Sequence, residues 1–250
     1  MHTERKQFLG LAFDCVAVDE LLSHLSCATP ESVYSYVVTP NVDHLVRLHK
    51  SAANIPGLAD AYRDAAICLC DSKILSRLSR WYGVELPVIA GSDLTLLLFE
   101  RVIRDGDRIG VVGGSQQTID RLRQIFPRLE ILHHRAPMGL ATDLFARSEA
   151  AGFVAGQKAR FTFICVGSPQ QELIAAEAGR LDGSRGTAFC VGASLEFITG
   201  HQRRAPMVVR DLGLEWAHRL CTHPRRLWRR YLVDGPQIFA IAYRWRRTRM

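Results

Sequence analysis

The strongest constraint on the fold is a unit that recurs along the chain: a short apolar run, a turn of small or polar residues, and then a helical stretch. Continuous apolar strands that alternate with amphipathic helices are typical of a mostly parallel sheet covered on both faces. We therefore predict an α/β fold in which helices sandwich a Rossmann-like, mostly parallel sheet. The predicted strands are YSYVV (34–38), AICLC (66–70), RIGVV (108–112), FTFICV (161–166) and TAFCV (187–191).

Positive charge is concentrated at the end of the sequence. Residues 201–250 contain twelve Arg, no Lys and three acids, a charge of +9, and removing them from the whole-chain counts of 32 basic and 25 acidic residues leaves −2 for residues 1–200. This asymmetry favours an accessory contact surface attached to a near-neutral body. We predict a Rossmann-like catalytic domain over 1–200 and a basic, amphipathic, helical appendage over 201–250, with Pro224 separating two short helices.

Several functional classes lose their usual support. The chain has neither GxGxxG nor GxxxxGK[ST], which argues against common dinucleotide and P-loop sites. Its seven cysteines lack the two-residue spacing of zinc and redox motifs, so we expect structural thiols in a reducing cytoplasm. No signal peptide or membrane-spanning stretch is recognisable. Asp105-Gly106-Asp107 precedes a strand and is interpreted as a solvated turn, so we predict no obligatory metal and no cofactor.

The turns after the strands locate the predicted site, because ligands of open parallel sheets bind outside the carboxyl ends of the strands. Glycines, hydroxyls, amides and acids at one edge suit an anionic, hydroxyl-rich ligand such as a nucleotide-sugar. The residues predicted at this edge are Thr39, Asn41, Asp71, Gly113, Gly114, Ser168, Gln171, Glu172, Gly192 and Glu196.

Two of these positions have alternative interpretations. Gly113-Gly114 is either a phosphate-cradling turn or a structural turn between strand and helix. Asp71 is either a general base at the ligand edge or the N-cap of the following helix. Ser168 is expected to cap a helix with Pro169 in its first turn. The pair His133-His134 is expected to be solvent-exposed in a linker.

Ordered motifs along the chain resemble the WecG/TagA/CpsF glycosyltransferases from about residue 8 to residue 240. They are TPNVDHL (39–45), the Asp after AICLC, AGSDL (90–94), VVGGS (111–115), FPRLEI (126–131), VGSPQQE (166–172), VGASLEFITG (191–200), RAP (204–206), and GLEW with RLCTHPRRLWRRYL.

The resemblance implies a metal-independent, inverting transferase. Such enzymes move a sugar from a UDP-sugar to a polyprenyl-diphosphate-linked saccharide at the cytoplasmic membrane face, in exopolysaccharide or cell-envelope glycan synthesis. It implies Asp71 as the base, with Thr39 and Gln171 as further catalytic residues, while the appendage contacts an anionic membrane and covers the site. The arginines expected to neutralise diphosphate charge are Arg204, Arg219, Arg226 and Arg229.

Three positions depart from the family pattern. Gln170 stands where Lys is usual, Glu196 where Asp is usual, and Pro87 where Arg is frequent. The motifs CDSKIL and GSDLT are more similar to members that transfer a hexose such as glucose than to N-acetylmannosaminyl or N-acetylmannosaminuronyl transferases, which are the alternative.

Two more remote interpretations stay open, a Rossmann-type nucleotide-binding protein and a basic RNA-binding protein. We expect no nucleic-acid partner, because the charge is confined to an amphipathic appendage. The protein is expected to be peripheral on the inner face of the bacterial plasma membrane, and self-association into a homo-oligomer stays open.

Overall fold

The computed structural model describes residues 3–51, 54–137, 140, 143–202 and 205–247. Over these ranges an initial hairpin is followed by strands separated by one or two helices, and then by a run of helices after the last strand. The strands are β1 (Glu4–Phe8), β2 (Leu11–Cys15), β3 (Ser35–Val38), β4 (Ile67–Cys68), β5 (Arg108–Gly113), β6 (Glu130–His134), β7 (Phe161–Cys165) and β8 (Thr187–Cys190). The helices are α1 (Val18–Ser26), α2 (Val42–Ser51), α3 (Leu58–Arg63), α4 (Lys73–Trp81), α5 (Gly91–Arg101), α6 (Gln116–Ile125), α7 (Leu144–Gly156), α8 (Gln170–Ala178), α9 (Ser194–Ile198), α10 (Met207–Asp211), α11 (Glu215–Thr222), α12 (Pro224–Trp228) and α13 (Gln237–Arg247), with a π-helical segment at Arg229–Asp234 between the last two.

The central sheet is parallel, with strand order β4-β3-β8-β7-β5-β6 in the described ranges. Its strands send alternate side chains to opposite faces, as the pleat requires. Tyr36 and Val38 enter one apolar cluster, whereas Val37 enters the other, and Cys190 and Phe189 divide in the same way. Both faces are buried, which explains why these strands are apolar throughout and confirms the predicted fold class.

All five predicted strands are present, but β4 is short. Only Ile67 and Cys68 pair with β3, and Cys70 makes an isolated bridge to Val88. β4 lies at the edge of the sheet, so in the described ranges its length is set by its pairing with β3.

Three strands of the structure, β1, β2 and β6, are not among the five predicted. The antiparallel hairpin of β1 and β2 has charged residues in its first strand. The interpretation of His133-His134 as an exposed linker is wrong, because these residues end β6 and pair with Val111 and Val112 of β5. Both histidines are partly buried, and the polar end of this strand concealed it from an apolar pattern.

The basic tail is helical in its described part. Helix α11 ends at Thr222 and α12 begins at Pro224, which confirms the predicted break. Helix α13 buries Ile238, Ile241 and Ala242 in the apolar cluster that also contains residues of α2. This helix, although it lies in the tail, therefore forms part of the core on one face of the central sheet. No described helix is both long and apolar enough to cross a bilayer.

Candidate active site

Asp71 follows β4 at the carboxyl edge of the sheet. The structure of its neighbour Ser72 distinguishes the two interpretations of Asp71, a general base or the N-cap of the following helix. Ser72 is the N-cap of α4, since its hydroxyl oxygen accepts a hydrogen bond from the Leu75 N–H at 3.2 Å. The cap position is therefore occupied by the serine, and the Asp71 carboxylate is not used to cap the helix.

The Asp71 carboxylate is instead held from two sides. The Gly91 N–H at the start of α5 donates to it, and so does the side-chain amide of Asn41. The Asn41 Oδ1 atom accepts from the Asp43 N–H at 3.1 Å, which leaves the amide nitrogen of Asn41 to face Asp71. A half-buried carboxylate held by two donors has a defined direction, as proton transfer requires.

Burial raises the pKa of Asp71 from 3.8 to about 7. Among the nearby charges, Arg219 lowers this pKa and Glu215 raises it. Both residues belong to α11, so a tail helix lies close enough to Asp71 to adjust its protonation. A carboxyl group with a pKa near neutrality suits a general base.

Thr39 holds three elements together beneath this carboxylate. Its buried hydroxyl donates to the Cys190 carbonyl oxygen at 3.1 Å, which joins the ends of β3 and β8. A Cβ atom on Gly91 would lie 2.8 Å from the Thr39 Oγ1 atom, so only glycine lets α5 begin so close to β3. Thr39 therefore fixes the helix start that donates to Asp71.

Gln171 and Glu172 lie behind the edge and not on it, being 2% and 1% exposed. Gln171 Oε1 accepts from the Gly192 N–H at 2.9 Å, and its Nε2 donates to Glu172 Oε1 at 2.9 Å. The side chain of Gln171 thus fixes the turn after β8. In this arrangement both residues shape the edge, and the Gly192 N–H is already engaged.

The Gly113-Gly114 turn between β5 and α6 has a left-handed backbone at both residues, with φ of +82° and +75°. A Cβ on Gly113 would lie 2.6 Å from Val166 Cγ1, whereas a Cβ on Gly114 would meet nothing within 4 Å. His133 Nε2 lies 2.9 Å from the Gly113 carbonyl oxygen and donates to it. The turn is held on one side and open on the other, as a ligand-binding turn needs to be.

Ser168 lies at the same edge, but its expected role as a helix cap is wrong. Helix α8 begins at Gln170 with Pro169 as the N-cap residue, and the Ser168–Pro169 peptide bond is cis. The Ser168 carbonyl oxygen accepts from Arg47 Nη1, and the Arg47 guanidinium also pairs with Asp43 at 3.0 Å. The Ser168 hydroxyl therefore does not cap α8.

Glu196 lies at this edge too, in the short helix α9 after β8. Its charge helps to raise the pKa of Cys165 at the end of β7, although burial of the thiol is the larger cause. Glu196 is partly exposed, so its carboxylate is within reach of a ligand at the ends of β7 and β8.

Two arginines of the tail lie near the carboxyl edge of the sheet, and each forms an ion pair with an acidic residue. Arg219 Nη2 pairs with Glu215 at 2.9 Å, and its guanidinium lies 5.5 Å from the centre of the Phe197 ring. Arg210 Nη2 lies 2.7 Å from both carboxylate oxygens of Asp93, in the first turn of α5.

The other predicted tail arginines are not all described at this edge. Arg229 is exposed. The side chain of Arg226 and the whole of Arg204 lie outside the part of the structure that is described.

Several residues of the site were not predicted, and their sequence signals differ. Asp43 and Arg47 form a pair with helical spacing of four, which the motif TPNVDHLVR displays. Arg230 also approaches Asp43, at 3.5 Å. His44 Nδ1 accepts from the Asn41 N–H at 3.1 Å, and burial lowers the pKa of His44 to about 4. A neutral His44 thus supports the asparagine that faces Asp71.

The arrangement combines a poised carboxylate, an open glycine turn and guanidinium groups at one sheet edge. Among the described residues, no group of three or more His, Cys, Asp or Glu side chains is placed to hold a metal ion. The sequence matches the glycosyl transferase WecG/TagA/CpsF family over residues 6–250, nearly its whole length. The chain therefore belongs to this family of glycosyltransferases, and its reaction is a glycosyl transfer between a nucleotide-sugar donor and a glycan acceptor.

Proposed function

We propose that the protein is an inverting hexosyltransferase that moves a sugar from a UDP-sugar to a polyprenyl-diphosphate-linked saccharide at the cytoplasmic face of the plasma membrane. The product would serve exopolysaccharide or cell-envelope glycan synthesis, and the alternative donor is UDP-N-acetylmannosamine or its uronic acid. The observation that carries the proposal is the Asp71 carboxylate, which is excluded from capping, fixed by two donors and raised in pKa to about 7.

Asp71 acts as the general base. Its carboxylate takes the proton of the acceptor hydroxyl, whose oxygen forms a bond to the anomeric carbon opposite the leaving group. The bond between the anomeric carbon and the phosphate oxygen breaks, and UDP leaves with the electron pair. Configuration at the anomeric carbon is thereby inverted.

The remaining edge residues bind the two substrates. The Gly113-Gly114 turn and Ser168 hold the nucleotide, while Asn41 and Glu196 face the sugar. Arg219 stabilises the charge that develops on the leaving diphosphate, because a fixed guanidinium is most effective where water is scarce. Arg204, Arg226 and Arg229 supply further positive charge as the part of the tail that precedes α13 covers the site.

The activity is tested by release of UDP. The purified protein is incubated with detergent-solubilised polyprenyl-diphosphate-sugar and a panel of UDP-sugars, and acceptor-dependent UDP release is expected with one donor. Asp71→Asn should lower kcat by about three orders of magnitude while the donor Kd changes little. The matched control is Asp105→Asn, an exposed carboxylate paired with Arg128 at the opposite edge. Near-normal turnover of Asp71→Asn would remove it as the base.

The dependence of turnover on pH can be tested with two variants of α11 that should shift it in opposite directions. Activity requires the carboxylate form, so turnover should be lost as the pH falls through about 7. Arg219→Ala removes a charge that lowers the pKa of Asp71, so the acidic limb should move to higher pH. Glu215→Gln removes a charge that raises this pKa, so the limb should move to lower pH. Shifts in the same direction in both variants would contradict the assignment.

A further inference from the structure

His133 in β6 holds the end of β5, the strand from which the Gly113-Gly114 turn starts. The two strands are parallel neighbours, and His133 lies opposite Val111 in their register. From there its Nε2 atom reaches the Gly113 carbonyl oxygen at 2.9 Å. A carbonyl oxygen only accepts hydrogen bonds, so Nε2 carries the proton in this contact, and Nδ1 is the nitrogen to which a second proton can be added.

Protonation of His133 therefore changes the charge beside the turn without breaking the bond that holds it. Gly113 is also fixed from the side of β7, because a Cβ there would lie 2.6 Å from Val166 Cγ1 and 3.1 Å from the Cys165 carbonyl oxygen. With β7 on one side and His133 on the other, the turn keeps its place in both forms of the imidazole. His133 is thus a titratable group on a fixed turn.

The surroundings of His133 favour its neutral form when no ligand is bound. Burial lowers the pKa of His133, and the bond to Gly113 raises it by a smaller amount. Three positive or titratable groups lower this pKa further, namely Arg123 on α6, Arg135 after β6 and His134 next along the strand. A negative charge at the turn would act in the opposite direction.

Arg123 and His134 have fixed positions. Arg123 Nη2 donates to the Ile131 carbonyl oxygen in β6 at 3.0 Å, and its Nη1 atom lies 3.8 Å from Asp120 of the same helix. The His134 ring lies 5.3 Å from the ring of Phe153 in α7 and, as the next residue of the strand, points to the other face of the sheet. Asp120 compensates only one of the positive charges near His133, so an anion is attracted to this end of β6.

We propose that His133 takes up a proton when the diphosphate of the donor binds at the Gly113-Gly114 turn, so that donor binding becomes tighter as the pH falls. The position of the donor in this inference rests on the proposed function. The proton comes from solvent and is added to Nδ1, and no bond of the donor is formed or broken. Because Asp71 has to be ionised for turnover, lowering the pH should decrease the donor KM while it also decreases kcat.

The test measures proton uptake by titration calorimetry with the panel of UDP-sugars as probes, at about pH 6.5 in two buffers that differ in ionisation enthalpy. A UDP-sugar replaces UDP because a terminal phosphate, with a pKa of about 6, would itself take up protons. Every protein carries Asp71→Asn, so that this carboxyl contributes no proton. This reference protein should take up about half a proton for each donor bound, and its donor Kd should fall about fivefold from about pH 8 to about pH 5.5.

His133→Gln separates the charge of His133 from its contact with Gly113. Glutamine can still donate to the Gly113 carbonyl oxygen but does not titrate. This variant should keep its Tm and its donor Kd at high pH, but it should take up no proton and bind no more tightly at low pH. His133→Phe, which cannot donate, should bind the donor more weakly at every pH. His134→Gln is the matched control on the same strand and should keep the proton uptake of the reference protein.

The outcomes separate this inference from the proposed function. Proton uptake in His133→Gln equal to that of the reference protein would overturn the inference, and so would an equal loss of uptake in His134→Gln. A donor Kd for His133→Gln as weak as that of His133→Phe at high pH would also overturn it, because the imidazole would then be needed only for its contact. Failure of wild type to bind any UDP-sugar of the panel would instead refute the donor site, and the proposed function with it.

Discussion

Replacing Asp71 by asparagine is expected to raise the free energy of unfolding at neutral and alkaline pH, although the same change removes the proposed base. Burial raises the pKa of this carboxyl from 3.8 to about 7, so the folded protein holds the proton more tightly than the unfolded chain does. Stability therefore falls as the pH rises from about 4 to about 7, and the full penalty is present above that range.

The magnitude follows from the displacement of the pKa. At about 1.4 kcal/mol for each pH unit between the two pKa values, the charged carboxylate costs the fold about 4 kcal/mol at pH 8. The side-chain oxygen of an asparagine at position 71 can still accept from the Gly91 N–H. Its NH₂ group, however, would face the NH₂ group of Asn41, so the hydrogen bond from Asn41 is lost at a cost of about 1 kcal/mol. The net gain is about 3 kcal/mol, or roughly 6 to 12 °C in Tm for a chain of this size.

The assay is urea unfolding of wild type and Asp71→Asn at about pH 8 and about pH 5, followed by circular dichroism. The difference between the two proteins should be about 3 kcal/mol at the higher pH and less than about 1 kcal/mol at the lower one. Asp105→Asn controls for the change in net charge. An Asp71→Asn variant that is no more stable than wild type at pH 8 would refute the reasoning, since burial of the charge would then not be what raises the pKa.

Two further variants test the turn and the tail contact. Gly113→Ala places a Cβ 2.6 Å from Val166 Cγ1 at a φ of +82° and should cost about 3 kcal/mol in thermal unfolding and raise the donor KM. Gly114→Ala, with open space at φ of +75°, should cost only about 1 kcal/mol, and equal losses would contradict the packing. Asp93→Arg and Arg210→Asp should each lower turnover, whereas the double exchange should recover most of it if the ion pair holds the tail in place. Additive losses in a double-mutant cycle would exclude that role.

The sheet was predictable because burial on both faces leaves its strands apolar. FTFICV and TAFCV send side chains into both apolar clusters, and the threonines that they contain, Thr162 and Thr187, are buried with them. The hairpin strand ERKQF carries three charges, and its Arg5 pairs with the buried Asp14. The Arg5–Asp14 ion pair joins residues nine positions apart, and a search for apolar periodicity does not detect such a contact.

The site was predictable only in its position. Parallel topology brings the strand ends together, so Thr39, Asn41 and Asp71 could be assigned to one edge from their places after strands. Which atom contacts which could not be assigned. The Arg210–Asp93 pair joins positions 117 residues apart, so no local sequence pattern predicts the contact. The burial of Gln171 was equally hidden, because a helix start at the edge can turn its side chains either way.

The edge-to-face contact of Phe8 with Trp245, at 5.2 Å, places the first strand against the last described helix. During synthesis, β1 leaves the ribosome long before α13 exists, so the apolar surface that α13 covers stays exposed for most of translation. In a nascent chain this apolar surface therefore stays uncovered until residue 245 has emerged. The core is thus completed late in synthesis, and a chain that stops short of α13 should unfold more easily than the full chain does, because it lacks the buried residues Ile238, Ile241 and Ala242.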